Sequence, residues 1–596
     1  MLRREKTGKY DNCIAVGVVI LFSALLMGIF FDFYYDLNDD TMMRDILAGV
    51  YSGVPDGHNM QILYPLGAFL ALCYRLCRTI PWYGLFLCLC QFGSFYLIGL
   101  RLCARFRTKW RKLLSLLSLI FFQWGIWLTH MVNVQYTITC AMLSSAAVFW
   151  FLTTPKDLSI KEFVQKNLPG ILLVILAYQL RTEMLLLMLP FIGFALLVHW
   201  WEEKPFFAIG KLKKYGAVFG LMLLGMVLSQ MMDLAAYGSE EWKDFRHFFD
   251  ARTTIYDFYP EVITQDAYSG DLQALGVSPA EQTLLRNYNF GLDEEIDTRM
   301  LTRIADYAVE AVGGAKDWGA IFREKLFLYR YRTFHADDVP YNLLVLLSYA
   351  VYIIAIVILC IEERQHDARR ATGKLVGSGI WITMLVLMRS SLWMFILLRG
   401  RDPERITHSL YLVEFVLLVA MILRLEQEHG GGRQTRFLWG CVTLFLVLAT
   451  GRLIVSLPVV QADQSRREVV NRDWYAIDNY CRAREKNFYF EDVYSTVSFS
   501  GKLLVKEDNT RANYDIAGGW MCKSPLCREK LSAYGVESAE EALLGEGVYF
   551  IMSDAEESQR GLGWLQDYYA EKGIAVEILE QDRIGENYRI YRITEE

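Results

Sequence analysis

Apolar runs of about 20 residues recur along most of this 596-residue chain, and no other feature narrows its fold as much. Crossing roughly 30 Å of hydrocarbon at about 1.5 Å per helical residue takes a run of that length. Backbone in lipid must satisfy its own hydrogen bonds, so such runs read as helices. They lie at 14–31, 82–102, 113–129, 136–152, 170–181, 184–200, 215–232, 342–361, 376–398, 409–425 and 437–457. The expected fold class is therefore a polytopic α-helical membrane protein with about eleven transmembrane helices. A net charge of −6 with no basic tail points away from nucleic acid. No GxxxxGK[ST] loop is present, so nothing suggests a nucleotide-driven pump.

The distribution of Lys and Arg orients the spans, because cytoplasmic loops carry the excess. Met-Leu-Arg-Arg-Glu-Lys precedes the first run, and Phe31-Asp-Phe-Tyr-Tyr35 follows it with no small-residue cleavage site, so that run reads as an uncleaved first span. The stretch 62–78 is ambiguous until Arg101, Arg105, Arg107, Lys109, Arg111 and Lys112 are placed. That cluster falls in the cytoplasm only if 62–78 lies along the outer interface, where Arg75 and Arg78 can snorkel. Loops 156–166, 204–214, 362–374 and 424–436 then fall inside as well. The N-terminus is expected in the cytoplasm and the C-terminus outside, in a multi-pass cell-membrane protein.

Two long polar segments face outward in this arrangement. One is 233–341, with Trp242, His247, Tyr256, Asp257 and a helical pattern near 296–330. The other is the tail 458–596, where apolar runs at 502–505, 547–551, 574–579 and 588–591 alternate with amphipathic stretches. That alternation predicts a small extracytoplasmic α/β domain. The division is thus a membrane domain, 1–457, with outer loops 32–81 and 233–341, followed by the domain 458–596. Cys73, Cys77, Cys88, Cys90 and Cys140 read as small apolar fillers. Cys522 and Cys527 form either a local disulfide or two free thiols.

The densest chemistry follows the first span: Asp32, Asp36, Asn38, Asp39, Asp40, Arg44, Asp45, Asp56, His58 and Asn59, then Tyr64-Pro-Leu-Gly67. Two like charges in one poorly solvated site push one carboxyl's pKa upward. One acid of such a pair can then serve as general base while the other orients it or holds a metal. The alternative is that Asn38 or Asp39 simply caps a short helix whose first turn favours acids.

An acid pair just outside the first span, a short helix, and a His/Asn–Pro-Leu-Gly segment leading into an interfacial helix resemble the GT-C superfamily of membrane glycosyltransferases. The arrangement is similar to the protein O-mannosyltransferases and the lipid A aminoarabinose transferases. The resemblance covers roughly 14–460, and the tail resembles no family. It implies an inverting enzyme that moves a sugar from a polyprenyl-phosphate donor to an acceptor hydroxyl at the outer face. The acceptor would be a cell-envelope glycan, lipid or protein. The family's Asp-Glu pair maps onto Asp39 and Asp40, and the Asp-Asp departure leaves open which is the base. The family's His/Asn-Pro-Pro-Leu stretch is matched loosely by His58-Asn59 and Pro65-Leu66. No fixed metal-ligand set is visible, although carboxylates suit Mg²⁺ or Mn²⁺.

Arg399, Arg401 and Arg405 break the charge rule at the outer end of a span. Arginine is the bidentate partner of phosphate, so these three, with His408, are candidates for the donor's phosphate. The competing view is that Asp402 and Glu404 neutralise them. Arg181 and Glu183 divide the apolar stretch 171–200, and ionisable residues at such a break are functional candidates. Being two apart, they are expected to find different partners. His130 reads as structural, Trp124 and Trp127 as interface anchors, and Glu414, inside a span, as a partner for an arginine. A transporter or flippase, or a polymerase, of lipid-linked saccharides is the alternative to a transferase. The dissimilar halves weigh against the transporter.

Overall fold

A computed structural model describes residues 2–314, 317–335, 338–365, 367–429, 432–506 and 510–596. Among them, ten helices are long and apolar enough to cross a membrane: Asp11–Phe30, Trp82–Arg105, Tyr136–Thr153, Ile160–Leu180, Thr182–Trp201, Ile209–Ala236, Tyr341–Arg364, Ala368–Leu398, Glu404–Leu425 and Arg433–Arg482. The expected span 113–129 is instead the helix Lys109–Gly125, which breaks at Ile126 and resumes as the short helix Leu128–Val132. Its 17 residues rise only about 26 Å. It still runs the length of the bundle, from Lys112, which donates to Asn12, to Ile126, whose carbonyl accepts from Tyr341. The stretch 62–78 forms the 13-residue helix Tyr64–Leu76, too short to cross.

The two ends of the bundle differ in chemistry. At one end, Arg101 bonds Thr153 and Thr154, Lys156 and Arg424 pair with Glu202, and Glu203 draws in Lys211 and Lys214. This is the end that the charge rule gathers on one side. At the other end, the loop after the first helix, residues 237–312 and the tail pack into one polar layer. Its core joins Ile46 and Tyr51 to Phe245, Phe248, Leu284 and Phe290 and to Phe488, Phe550 and Trp564 of the tail.

The tail folds around a five-stranded mixed sheet. After the two-residue pair β1 (Tyr34–Tyr35) and β2 (Asn133–Val134), the strands are β3 (Phe488–Glu491), β4 (Tyr514–Ile516), β5 (Val548–Ser553), β6 (Val576–Ile584) and β7 (Tyr588–Glu595). The order is β4-β3-β5-β7-β6, with β3 parallel to both neighbours and β7 antiparallel to both of its own. The expected strand at 502–505 is a loop. Leu503 donates its amide to the Phe33 carbonyl there, tying the tail to the first span's exit. The boundary expected at 457/458 lies within one 50-residue helix, Arg433–Arg482. That helix leaves the bundle and carries Ile477 and Cys481 under the sheet, against Tyr489, Ile551 and Ile590. Cys522 and Cys527 are both buried free thiols. Trp127 is fully buried against Phe122, His130 and Tyr341, so it is a core residue and not an interface anchor.

Candidate functional site

The acid pair lies in the first turn of the helix Asn38–Ala48. The N-cap residue is Leu37, with no side-chain capping bond, so neither Asn38 nor Asp39 caps the helix. Acids in a first turn nonetheless face the positive end of the helix dipole. Gly49 ends the helix at φ 82°, where a Cβ would meet the Pro55 nitrogen at 2.6 Å, and the chain turns back at once. The helix therefore sits as a short wedge: Met43 and Leu47 pack into the bundle core, while Ile46 packs into the polar layer.

Successive helical residues point about 100° apart, and the two acids accordingly meet different surroundings. Asp40 is fully buried and accepts a 2.8 Å hydrogen bond from the Tyr83 hydroxyl. Its second oxygen has no hydrogen-bond partner among the described residues. Burial holds the Asp40 carboxyl well above the usual carboxylate range, with Tyr83 pulling it down and Asp39 and Asp36 pushing it further up. Asp39 is half-buried, makes no hydrogen bond or ion pair with the described residues, and lines a cavity of about 290 Å³. That volume is near the lower end of ligand pockets, about 300 Å³.

The cavity is closed by three parts of the chain. Asn38, Asp39, Met42 and Asp45 come from the acid helix, and Arg252 and Tyr288 from the segment 237–340. Trp474, Glu491, Tyr494, Phe499, Tyr514 and Trp520 come from the tail. Trp474 and Phe499 stack at 4.1 Å between centroids, giving a rigid aromatic wall. Glu491 sits at the carboxyl end of β3, where open α/β sheets characteristically bind ligands. It is buried, and its Oε1 has no hydrogen-bond partner among the described residues. Burial, reinforced by Asp515 against the pull of Lys530, pushes its carboxyl up to about 8.

Cations gather around Asp39. Arg181 and Arg252 both act on it electrostatically. Arg252 makes no hydrogen bond or ion pair with the described residues, and its Nε is buried without a partner while the guanidinium faces Tyr288 at 5.2 Å. Arg181 donates to Gln61 Oε1 at 2.5 Å and lies 5.2 Å over the Tyr136 ring. Asp39, Asp40, Arg181 and Arg405 all act electrostatically on Tyr136, and Arg405 is not among the residues lining the cavity. The Arg405 guanidinium likewise has no hydrogen bond or ion pair among the described residues.

The remaining expected site residues do not converge here. Arg399 is exposed and folds back over Phe395 at 4.6 Å. Arg401 pairs with Asp257 at 3.2 Å. Asp402 does not neutralise these arginines; it pairs with Arg332 at 2.7 Å, as does Asp338 at 2.8 Å. His408 Nδ1 lies 2.9 Å from His130 Nε2, inside the bundle under Tyr341. His58 has both ring nitrogens engaged, with Asp56 at 2.7 Å and the Ala236 carbonyl at 3.3 Å, and stacks on Trp242. It joins the acid loop to the polar layer and does not line the cavity. Arg181 and Glu183 bond each other at 3.2 Å, against expectation. Arg181 has φ −157° and ψ 97°, extended between two helices, so the helical spacing rule does not govern the pair.

Glu414 does have its arginine: Arg389 donates to it at 2.9 Å, with Tyr349 adding a second bond at 2.6 Å. Arg389, Arg252, Tyr83 and Glu491 were not singled out by the sequence. Arg389 lies within an apolar span, a signal in itself. The other three sit in ordinary amphipathic or apolar surroundings with no local mark. No family model, curated protein or solved structure matches the chain.

Proposed function

We propose that this protein is a membrane glycosyltransferase that moves a sugar from a polyprenyl-phosphate donor to an acceptor hydroxyl, with Asp39 as general base. One observation carries this reading above the rest. Asp39 is an unpaired carboxylate opening on a cavity at the junction of the bundle and the polar layer, and the unpaired Arg252 guanidinium lines the same cavity. The polar layer is the extracytoplasmic side, since the Lys- and Arg-rich loops collect at the opposite end.

The acceptor occupies the cavity, its ring against the Trp474–Phe499 wall. Asp39 takes the acceptor's proton as the oxygen attacks the anomeric carbon. The bond from that carbon to the phosphate oxygen breaks, its electron pair stays on the lipid phosphate, and the configuration inverts. Arg405 and Arg252 meet the charge that develops on the phosphate, where fixed cations in a dry site act most strongly. Asp40, whose carboxyl pKa is raised by burial, fixes the acid helix against Tyr83. A divalent cation is not required by this scheme.

The competing function, translocation of a lipid-linked saccharide, draws on the Arg389–Glu414 pair, which lies well inside its two helices. Full-length protein in vesicles supplied with a polyprenyl-phosphate-sugar extract separates the two. Transfer of sugar to an acceptor supports the enzyme, whereas movement of intact lipid-linked sugar across the vesicle without transfer supports translocation.

A further inference from the structure

The polar layer holds a second acidic site, none of whose members lines the cavity. Glu281 lies in the first turn of the helix Pro279–Arg286, and Asp293 and Glu295 follow on the next loop. One carboxylate oxygen from each lies within 4.8 Å of the others. Glu281 and Asp293 are buried; Glu295 is exposed. Burial pushes the Glu281 carboxyl up, and Asp293 and Glu295 add to the rise.

Among the described residues, one cation reaches a carboxylate of the cluster. Lys572 approaches Asp293 Oδ1 at 3.3 Å but is held more closely by Glu540, at 2.6 Å. Asp293 Oδ1 also accepts the Glu295 amide at 2.8 Å. Asp293 Oδ2 is buried with no hydrogen-bond partner among the described residues. A buried acceptor left unbonded costs about 1–3 kcal/mol, more when charged. An all-oxygen donor set selects hard divalent cations. Ca²⁺ accepts irregular cages of protein oxygens, whereas Mg²⁺ demands near-ideal octahedral geometry and keeps much of its water, so three protein carboxylates favour the larger ion.

We propose that Glu281, Asp293 and Glu295 bind a Ca²⁺-class cation that pins the loop at 293–295 to the helix Pro279–Arg286. The same loop meets the tail, because Lys523 donates to the carbonyls of Asp293 and Ile296. The ion therefore stiffens the joint between the two halves of the polar layer. This site is independent of the proposed transferase activity.

The test is thermal unfolding of the full chain in detergent, stripped with a chelator and then given Ca²⁺, Mg²⁺ or neither. Ca²⁺ is expected to raise Tm by several degrees and Mg²⁺ by less, since a ligand bound only by the folded state stabilises it. Asp293→Asn removes the Ca²⁺ response but risks the fold. Glu295→Gln is the safer variant: its side chain is exposed and bonded to nothing else described, and it is expected to lose most of the Ca²⁺ rise. Glu294→Gln, an exposed neighbour outside the cluster, is expected to keep it. A wild-type Tm that neither ion moves overturns the proposal, and so does a Glu295→Gln variant that responds like wild type.

Discussion

The Tyr83 hydroxyl donates a 2.8 Å hydrogen bond to Asp40, while Asp39, one residue earlier, faces the cavity with no bonded partner among the described residues. The fold thus consumes one acid and leaves the other for chemistry. Tyr83→Phe leaves Asp40 buried with neither oxygen bonded to a side chain. A stability loss of about 1–3 kcal/mol is expected, read as a lower thermal midpoint. Transfer per folded molecule should change little, because Asp39 keeps its surroundings.

Of the three arginines that break the charge rule, Arg401 pairs with Asp257 and Arg399 lies over Phe395, which leaves the Arg405 guanidinium without a bonded partner among the described residues. Arg405→Ala is expected to raise the donor KM and lower kcat, together costing about tenfold to a hundredfold in kcat/KM. Arg399→Ala, which removes a side chain lying over Phe395, is expected to stay within twofold of wild type. Steady-state kinetics on a donor titration distinguishes the two variants.

Arg389 and Glu414 form a buried ion pair at 2.9 Å within the bundle. Removing one partner leaves a charge with no counterpart, a loss of about 3–5 kcal/mol. Arg389→Met should therefore unfold at markedly lower temperature in detergent. The double variant Arg389→Met, Glu414→Leu should recover much of the loss, because an apolar pair of similar size needs no compensation.

The Glu491 carboxyl is raised to about 8, with burial the main cause. Its unfolded counterpart releases the proton near 4.3. The folded state therefore holds a proton that the unfolded state has lost across this window. Its contribution is complete below about pH 4.3, declines as pH rises, and is gone above about pH 8. Glu491→Gln should flatten the fall of the melting midpoint between those limits. An unchanged pH profile in that variant would show that Glu491 is ionised when folded.

Legibility in the sequence followed the range of the physics involved. Helices of spanning length announce themselves by hydropathy, and Lys and Arg bias marked 62–78 as a stretch that does not cross, where the structure has the 13-residue helix Tyr64–Leu76. Glu414 declared its need for a partner, because a carboxylate in an apolar run must have one. The strands β3 and β4, four and three residues long, carry no period that could be counted. Arg252 gains meaning only from the fold, which brings a residue of the polar segment 233–341 to the cavity that Asp39 lines. The Arg181–Glu183 bond escaped because the chain is extended at Arg181. Of the capping alternative, the acids do occupy the first turn of the helix, but Leu37, not a polar residue, starts it.

The most direct measurement is sugar transfer from a polyprenyl-phosphate-sugar pool by wild type, Asp39→Asn and Asp40→Asn, each checked for folding by its thermal midpoint. Wild type is expected to transfer, and Asp39→Asn to fall about 10²–10⁴-fold with its fold intact, the usual worth of a general base. Asp40→Asn, which keeps an acceptor for Tyr83, is expected to retain most activity per folded molecule. Transfer by Asp39→Asn at the wild-type rate would contradict the assignment of Asp39 as base.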